Sequence, residues 1–217
     1  MEKVCLLNGS LRGKKATSAR LLDRIEARLA AGELRIERVA VQPGAREHYP
    51  PEVLAAVCDA DVIIMAFPLF SYSLPGALTA FLEDLSLHAR AGGPRGRRAK
   101  VFAIINCGFP DPRITREAVR VVKNFCARLG MSYRFSISLG SGPVTALTMR
   151  VPFLNRELKS AFARIVADIA GGDREEREDV LITPIIPKGA LLRIKDLYER
   201  KSLSLRPQAS RRMREKT

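Results

Sequence analysis

Six consecutive apolar residues, Val62-Ile63-Ile64-Met65-Ala66-Phe67, run between Asp61 and Pro68. A strand without alternation has no face to offer water, so it must lie inside a sheet covered on both sides, which is the situation of a central parallel strand. Pro68 has no N–H to give to a ladder, so the chain leaves the sheet there. Three more segments read as strands of the same sheet: Val4 to Leu7, Lys100 to Asn106 and Ser132 to Leu139. Leu34 to Val41, apolar at Leu34, Ile36, Val39 and Val41, is the outer strand.

Between the strands the apolar period changes to that of a helix. Leu21, Leu22, Ile25 and Leu29 share one face of a helix over 19–30, and Asp23, Arg24, Glu26 and Arg28 look to water. A second helix runs from about Pro51 to Cys58, with proline in its first turn, and Pro75-Gly76 open a third through Leu78, Phe81, Leu82 and Leu85. Asp111 and Pro112 supply the cap and first-turn proline of a fourth, on which Ala118, Val121, Val122, Phe125 and Leu129 share a face and Gly130 is the stop. Pro152 opens the last, through Leu158, Phe162, Ile165, Val166 and Ile169 to Gly171-Gly172. Strands alternating with helices make an α/β, three-layer domain over 1–172. Residues 173–217 form a C-terminal basic extension, helical near 190–198 and disordered from Arg206.

Charge narrows the choice of partner. The chain of 217 residues carries a formal net charge of +14, and its last segment, 187–217, holds ten Lys or Arg against three acids. A second basic run, Arg90 to Lys100, contains no acid. No aromatics are interleaved with these charges, so a solvated face and a frayed end are expected rather than a nucleic-acid site. Cys5, Cys58, Cys107 and Cys126 are scattered, without a compact ligand motif, and read as reduced thiols. The sequence shows neither a membrane-spanning run nor a signal peptide, so a cytoplasmic protein without membrane insertion is expected.

Chemistry is expected at the strand ends. The stretch Asn8 to Ser18 follows the first strand and precedes a helix, where unpaired N–H groups and the helix dipole favour a phosphate. It lacks the glycine triplet of dinucleotide-binding loops and the Gly-Lys-Ser/Thr of nucleoside-triphosphate loops. Hydroxyls, one Arg and two Lys suit a single phosphate monoester, the alternative being that Thr17 or Ser18 merely caps the helix. Five strands opened by such a loop fit the flavodoxin-like order 2-1-3-4-5, in which ligands bind beyond the carboxyl ends of strands 1, 3 and 4. Those ends carry Ser10, Arg12, Ala16, Thr17 and Ser18; Pro68, Leu69, Phe70, Ser71 and Tyr72; and Asn106, Cys107, Gly108 and Phe109.

Gly9-Ser10-Leu11-Arg12 with Thr17-Ser18, then Phe67 to Leu78 with Phe81 and Leu82, resembles the NAD(P)H-dependent FMN reductase family of flavodoxin-like proteins. Asn106 to Pro110 and Gly140 to Pro143 are also similar to its members. The chain departs from the family at Thr79, where Lys is usual, and at Glu83-Asp84, where Asp-Arg is usual. The resemblance implies FMN as cofactor and NAD(P)H as co-substrate. It puts the FMN phosphate on Ser10, Arg12, Thr17 and Ser18, and the ring between the Pro68–Tyr72 and Asn106–Phe109 loops. It also implies a homodimer that passes electrons to a small-molecule or protein acceptor: a quinone, flavin, nitro or azo compound, or a protein. Other readings are an electron carrier without nicotinamide activity and a non-enzymatic anion- or nucleic-acid-binding protein. Phe70, Tyr72 and Phe109 are either core aromatics or ring contacts, and Cys107 is either a small apolar residue or a thiol beside the flavin. No residue is assigned as catalytic. Glu83, Asp84 and His88 read as a solvated helix face.

Overall fold

The structure is a computed structural model and describes residues 1–41, 48–91, 99–142, 144, 155–171 and 178–183. Its strands are β1 (Glu2–Asn8), β2 (Leu34–Ala40), β3 (Val62–Pro68), β4 (Lys100–Asn106), β5 (Ser132–Leu139) and β6 (Val180–Ile182). The helices are α1 (Thr17–Leu29), α2 (Pro51–Cys58), α3 (Gly76–Arg90), α4 (Arg116–Leu129) and α5 (Arg156–Gly171), with short 3-10 turns at Gly13–Lys15 and Pro112–Thr115. The described sheet is parallel throughout, in the order β2-β1-β3-β4-β5-β6.

The expected five-strand order is present, and β6 extends it by one parallel strand beside β5. Three residues are too few to show a strand period, and what fixes them is polar. Asp179, just before β6, accepts from Lys123 Nζ at 2.9 Å, the Tyr133 hydroxyl at 2.5 Å, Ser136 N at 2.7 Å and Ser136 Oγ at 2.9 Å. Burial pushes its carboxyl up, but those bonds together hold it below the usual carboxylate range. A compact unit spans Met1–Pro184, and the expected helix near 190–198 and the end beyond Arg206 lie outside the described residues.

Side chains alternate between two cores. Val4, Leu6, Ile64, Phe102, Phe135 and Ile137 pack against α1 and α5; Leu7, Ile63, Met65, Phe67 and Val101 pack against α2, α3 and α4. Each such side chain contributes roughly 1.5–3 kcal/mol by burial, and burial on both sides is why β3 needs no polar residue before Pro68. On α4 the buried stripe is Ala118, Val119, Val122 and Cys126, and Val121 is exposed. The expected face is therefore rotated: Ala118 and Val122 lie on it, Phe125 and Leu129 are partly buried at its margin, and Val119 and the Cys126 thiol take the place of Val121, which spacing alone could not tell. All four cysteines are free and buried, and burial pushes the Cys5 and Cys126 thiols up to about 12.

β5 is irregular at one point. Val101 and Phe102 pair with Tyr133 and Phe135, so Arg134 is the extra residue of a bulge. The bulge puts Arg134 and Phe135 on the same, α5 side of the sheet, whereas Tyr133 before them packs on the α4-side core. There the Arg134 guanidinium forks onto Asp168 at 2.8 Å, both groups buried, and Lys100 Nζ donates to the Asp168 carbonyl at 2.6 Å.

Candidate cofactor site at the carboxyl edge of the sheet

The loop after β1 is held by its own first residue. Asn8 Oδ1 accepts from Ser10 N at 3.1 Å and Asn8 Nδ2 donates to the Gly13 carbonyl at 3.2 Å, so one buried amide ties both ends of the turn. Gly9 donates to the Ala66 carbonyl at 2.8 Å, and a Cβ there would come within 2.7 Å of Leu78 and 2.8 Å of Phe67. The loop thus sits directly on β3 and α3, an approach only glycine permits. Ser10 is buried, Arg12 is exposed, and Thr17 lies between.

The start of α1 decides between cap and cradle. Its N-cap residue is Ala16, in extended conformation and without a side-chain cap hydrogen bond. Ser18, buried, instead accepts from Asn106 Nδ2 at 3.0 Å. Neither Thr17 nor Ser18 is the cap, so the first N–H groups of α1 keep their capacity for an outside acceptor. Asn106 Nδ2 also donates to the Phe67 carbonyl at 3.0 Å, which fastens the ends of β3 and β4 to the start of α1.

Leaving β3, Leu69 N donates to the Asn106 carbonyl at 2.8 Å, and Phe70 and Ser73 exchange backbone hydrogen bonds of 2.9 Å in both directions. The two residues between them, Ser71 and Tyr72, have φ of 47° and 64°. Neither is glycine, so the turn carries strain of order 1–3 kcal/mol per residue, which accumulates at ligand clamps. The rings it flanks are open to solvent, Phe70 at 67% and Tyr72 at 63%, and Phe109 beyond β4 is 57% exposed. None of the three is a core aromatic.

After β4, the Cys107 thiol is buried and donates to the Phe109 carbonyl at 3.3 Å. Burial raises its pKa, which keeps it a thiol. Gly108 is exposed. The loop after β5 closes on this one: Ser141 N donates to the Phe109 carbonyl at 2.7 Å and Gly142 N to the Cys107 carbonyl at 2.7 Å. A Cβ at Gly140 would stand 2.0 Å from the Pro110 carbonyl oxygen, so no side chain fits there. The three expected segments therefore meet at one edge of the sheet. Asn8, Gly9 and Gly140 are the positioning residues that sequence reasoning left out of the site. An Asn followed by Gly at a strand end was the available signal for the first two.

A family model described as NADPH-dependent FMN reductase matches residues 2–142, from the start of β1 through the loop after β5. The chain belongs to the NADPH-dependent FMN reductase family. It is accordingly an oxidoreductase of the NAD(P)H-dependent, flavin-linked kind. No protein with a curated description matches its sequence. Among solved structures, one titled flavone reductase matches at a TM-score of 0.58 and 13% identity over 81% of this chain and 66% of its own. That likeness concerns the fold. An azoreductase from Bacillus anthracis str. Sterne (TM-score 0.49, 16% identity, 80% of this chain and 100% of its own) and an NADH:FMN oxidoreductase in apo form (0.48, 19%, 63% and 74%) are also similar.

The residues at this edge fit the flavin of the FMN reductase family. A phosphate needs donors without competing partners, and the start of α1 has no side-chain cap. A flat aromatic ring needs apolar surface outside the core, and Phe70, Tyr72 and Phe109 present it. The family departure at Asp84 has a local job: its Oδ1 lies 2.6 Å from His48 Nδ1 and its Oδ2 accepts from Tyr49 N at 2.9 Å. The hydrogen bond to Asp84 holds the His48 pKa above its ordinary value.

Proposed function

We propose that the chain binds FMN at the carboxyl edge of its sheet, accepts reducing equivalents from NAD(P)H and passes them to a second acceptor. The phosphate is assigned to Ser10, Arg12 and Thr17 and to the backbone N–H groups of Thr17 and Ser18; the Ala16 N–H is already given to the Gly13 carbonyl at 3.1 Å. Ser18 acts through its bond to Asn106. The ring is assigned to the surface between Pro68–Tyr72 and Asn106–Phe109. When bound, FMN supplies the hydride and electron chemistry. The chain's own residues orient it: Asn8 and Gly9 shape the phosphate turn, Asn106 holds the ends of β3 and β4 to the start of α1, and the Ser71-Tyr72 turn sets Phe70 and Tyr72 at the rim.

The acceptor class is a quinone, free flavin, nitro or azo compound, or a protein. A homodimer in the cytoplasm, with the cofactor site wholly within 1–172 and 173–217 as an extension that lends β6 to the sheet, completes the reading. The observation that carries it is the combination of an uncapped α1 with three exposed rings at the same sheet edge in a chain of this family. The test is an FMN titration, followed by fluorescence, of the wild type and of Ser10→Ala/Arg12→Ala. Loss of two charge-assisted phosphate contacts raises the dissociation constant by roughly 100-fold or more. An unchanged constant makes the loop a plain turn and removes the assignment.

A further inference from the structure

The last strand of the sheet lies outside the segment that matches the family, which ends at residue 142, yet it is bonded to the flavin edge. The carbonyl of its final residue, Ile182, accepts from Gly140 N at 2.9 Å. Gly140 opens the loop after β5, and the next two amides of that loop are given to the loop after β4: Ser141 N to the Phe109 carbonyl and Gly142 N to the Cys107 carbonyl, each at 2.7 Å. Ser141 is held at φ 47°, a left-handed conformation that a non-glycine residue keeps only where its surroundings enforce it. Backbone contacts thus run without a break from β6 to Phe109, whose ring is exposed at the flavin edge.

A strand of three residues does little to hold itself in place. Of β6 only Ile182 is buried; Val180 is half-buried and Leu181 is 51% exposed, so apolar contact supplies little. What fixes the strand is the residue before it. Asp179 Oδ1 accepts from the Tyr133 hydroxyl, Ser136 N and Ser136 Oγ, and its Oδ2 accepts from Lys123 Nζ. Tyr133 and Ser136 flank the point where β5 is irregular against β4, so the anchor holds β5 at its bulge. From there Val180 falls opposite Ile137 and Ile182 opposite Leu139, which brings the Ile182 carbonyl to Gly140. A slip of one residue would turn Ile182 out of the core and withdraw its carbonyl from Gly140.

We infer that Asp179 is a positioning residue for the flavin edge: by fixing the register of β6 it holds the Gly140–Gly142 loop against Cys107–Pro110 and so sets the place of the Phe109 ring. The inference rests on the flavin reading for what Phe109 touches, and on the hydrogen bonds alone for the path from Asp179 to Phe109. The far end of the same β4–α4 connection has a separate hold, since Thr115 Oγ1 lies 2.7 Å from Ser138 Oγ on β5. Loss of the Asp179 anchor therefore frees the connection at Phe109 and leaves it tied at Thr115.

The test compares the full chain as wild type, Asp179→Ala, Asp179→Asn and Val57→Ala, the last a core truncation on α2 that leaves β6 and its partners intact. Amide hydrogen exchange is read first, without FMN. Asp179→Ala is expected to speed exchange at Ser141 and Gly142 at least about tenfold, while β1 and β3 keep their protection. FMN titration, followed by fluorescence, comes second, and there the misplaced ring raises the dissociation constant roughly three- to tenfold. Asp179→Asn keeps the oxygen that serves Tyr133 and Ser136 and is expected to hold both readouts within about twofold of wild type. Val57→Ala lowers the melting temperature and leaves the FMN constant in place. Should Asp179→Ala not fold, Tyr133→Phe, which removes one bond to Asp179 and keeps the ring, is expected to move both readouts the same way by a smaller factor. Unchanged exchange at Ser141 and Gly142, an unchanged FMN constant, or an equal loss of FMN in Val57→Ala or Asp179→Asn overturns the inference. A wild type that takes up no FMN, with protection at Ser141 and Gly142 still lost in Asp179→Ala, sinks the flavin reading and upholds the hold of Asp179 on the Phe109 loop.

Discussion

The two edges of the sheet are built on opposite terms. At the amino edge, polar groups satisfy one another, and the Arg134–Asp168 pair does so while buried. Asp61 accepts from Lys3 N at 2.9 Å, its carbonyl accepts from Lys100 N at 2.9 Å, and Arg134, Asp168 and Lys100 close the space between β4, β5 and α5. At the carboxyl edge, helix α1 starts without a side-chain cap, three non-glycine residues, Ser71, Tyr72 and Ser141, sit at positive φ, and three aromatic rings face solvent. One edge spends its polar groups on holding the layers together. The other keeps its donors and apolar surface for something outside the chain, as parallel α/β sheets generally do at their switch point.

The largest effect expected from breaking this contrast is at the amino edge. Asp168→Ala leaves Arg134 as an uncompensated buried charge and lowers unfolding free energy by about 3–5 kcal/mol, measured by urea denaturation. Replacing both partners with apolar residues costs much less, and a double-mutant cycle separates the two outcomes. Gly140→Ala comes next. Its Cβ meets a carbonyl rather than a pliable side chain, so the loops after β4 and β5 must part, at roughly 1–3 kcal/mol, with FMN affinity falling in parallel.

Tyr72→Gly sharpens the comparison because its two readouts move in opposite directions. Relief of the left-handed backbone offsets glycine's entropy and raises or preserves apo stability within about 1 kcal/mol, while loss of the ring weakens FMN binding. If both fell together, the turn would belong with the stabilising edge. The smallest effect lies at His48 and Asp84. The folded His48 pKa is raised, so its stabilisation is present below the unfolded value and disappears as pH rises through the folded one. Asp84 is lowered: burial raises it, but bonds from His48 and Tyr49 prevail, so its share is lost as pH falls through its folded pKa. His48→Gln is expected to flatten the neutral-to-alkaline limb of a melting-temperature profile and to weaken the acid limb as well, to the part that the Tyr49 N–H alone sustains on Asp84.

How much of this was legible in the sequence follows from the same contrast. The interior of the sheet was readable because burial on both faces disfavours polar residues, so β3 begins where its apolar run begins, at Val62, and β4 is apolar from Val101 through Ile105. The loop after β1 stood out as a candidate phosphate turn because Ser10, Arg12 and Thr17 lie within one short stretch. Asn106 was placed correctly at the edge, but its role as a tie to Ser18 and Phe67 depends on loops far apart in sequence. The Arg134–Asp168 pair was not readable, since a bulge reverses which face Arg134 takes and no local pattern announces it. β6 was missed for a related reason: its three residues join the sheet through Asp179, whose partners lie on α4 and β5.

The most direct test of the carboxyl-edge site is the visible absorption spectrum of the purified full chain, recorded under anaerobic conditions before and after addition of NADPH. The account predicts a bound-flavin spectrum that bleaches on NADPH addition, both features being lost in Ser10→Ala/Arg12→Ala at limiting FMN. A colourless protein that takes up no added FMN would contradict it.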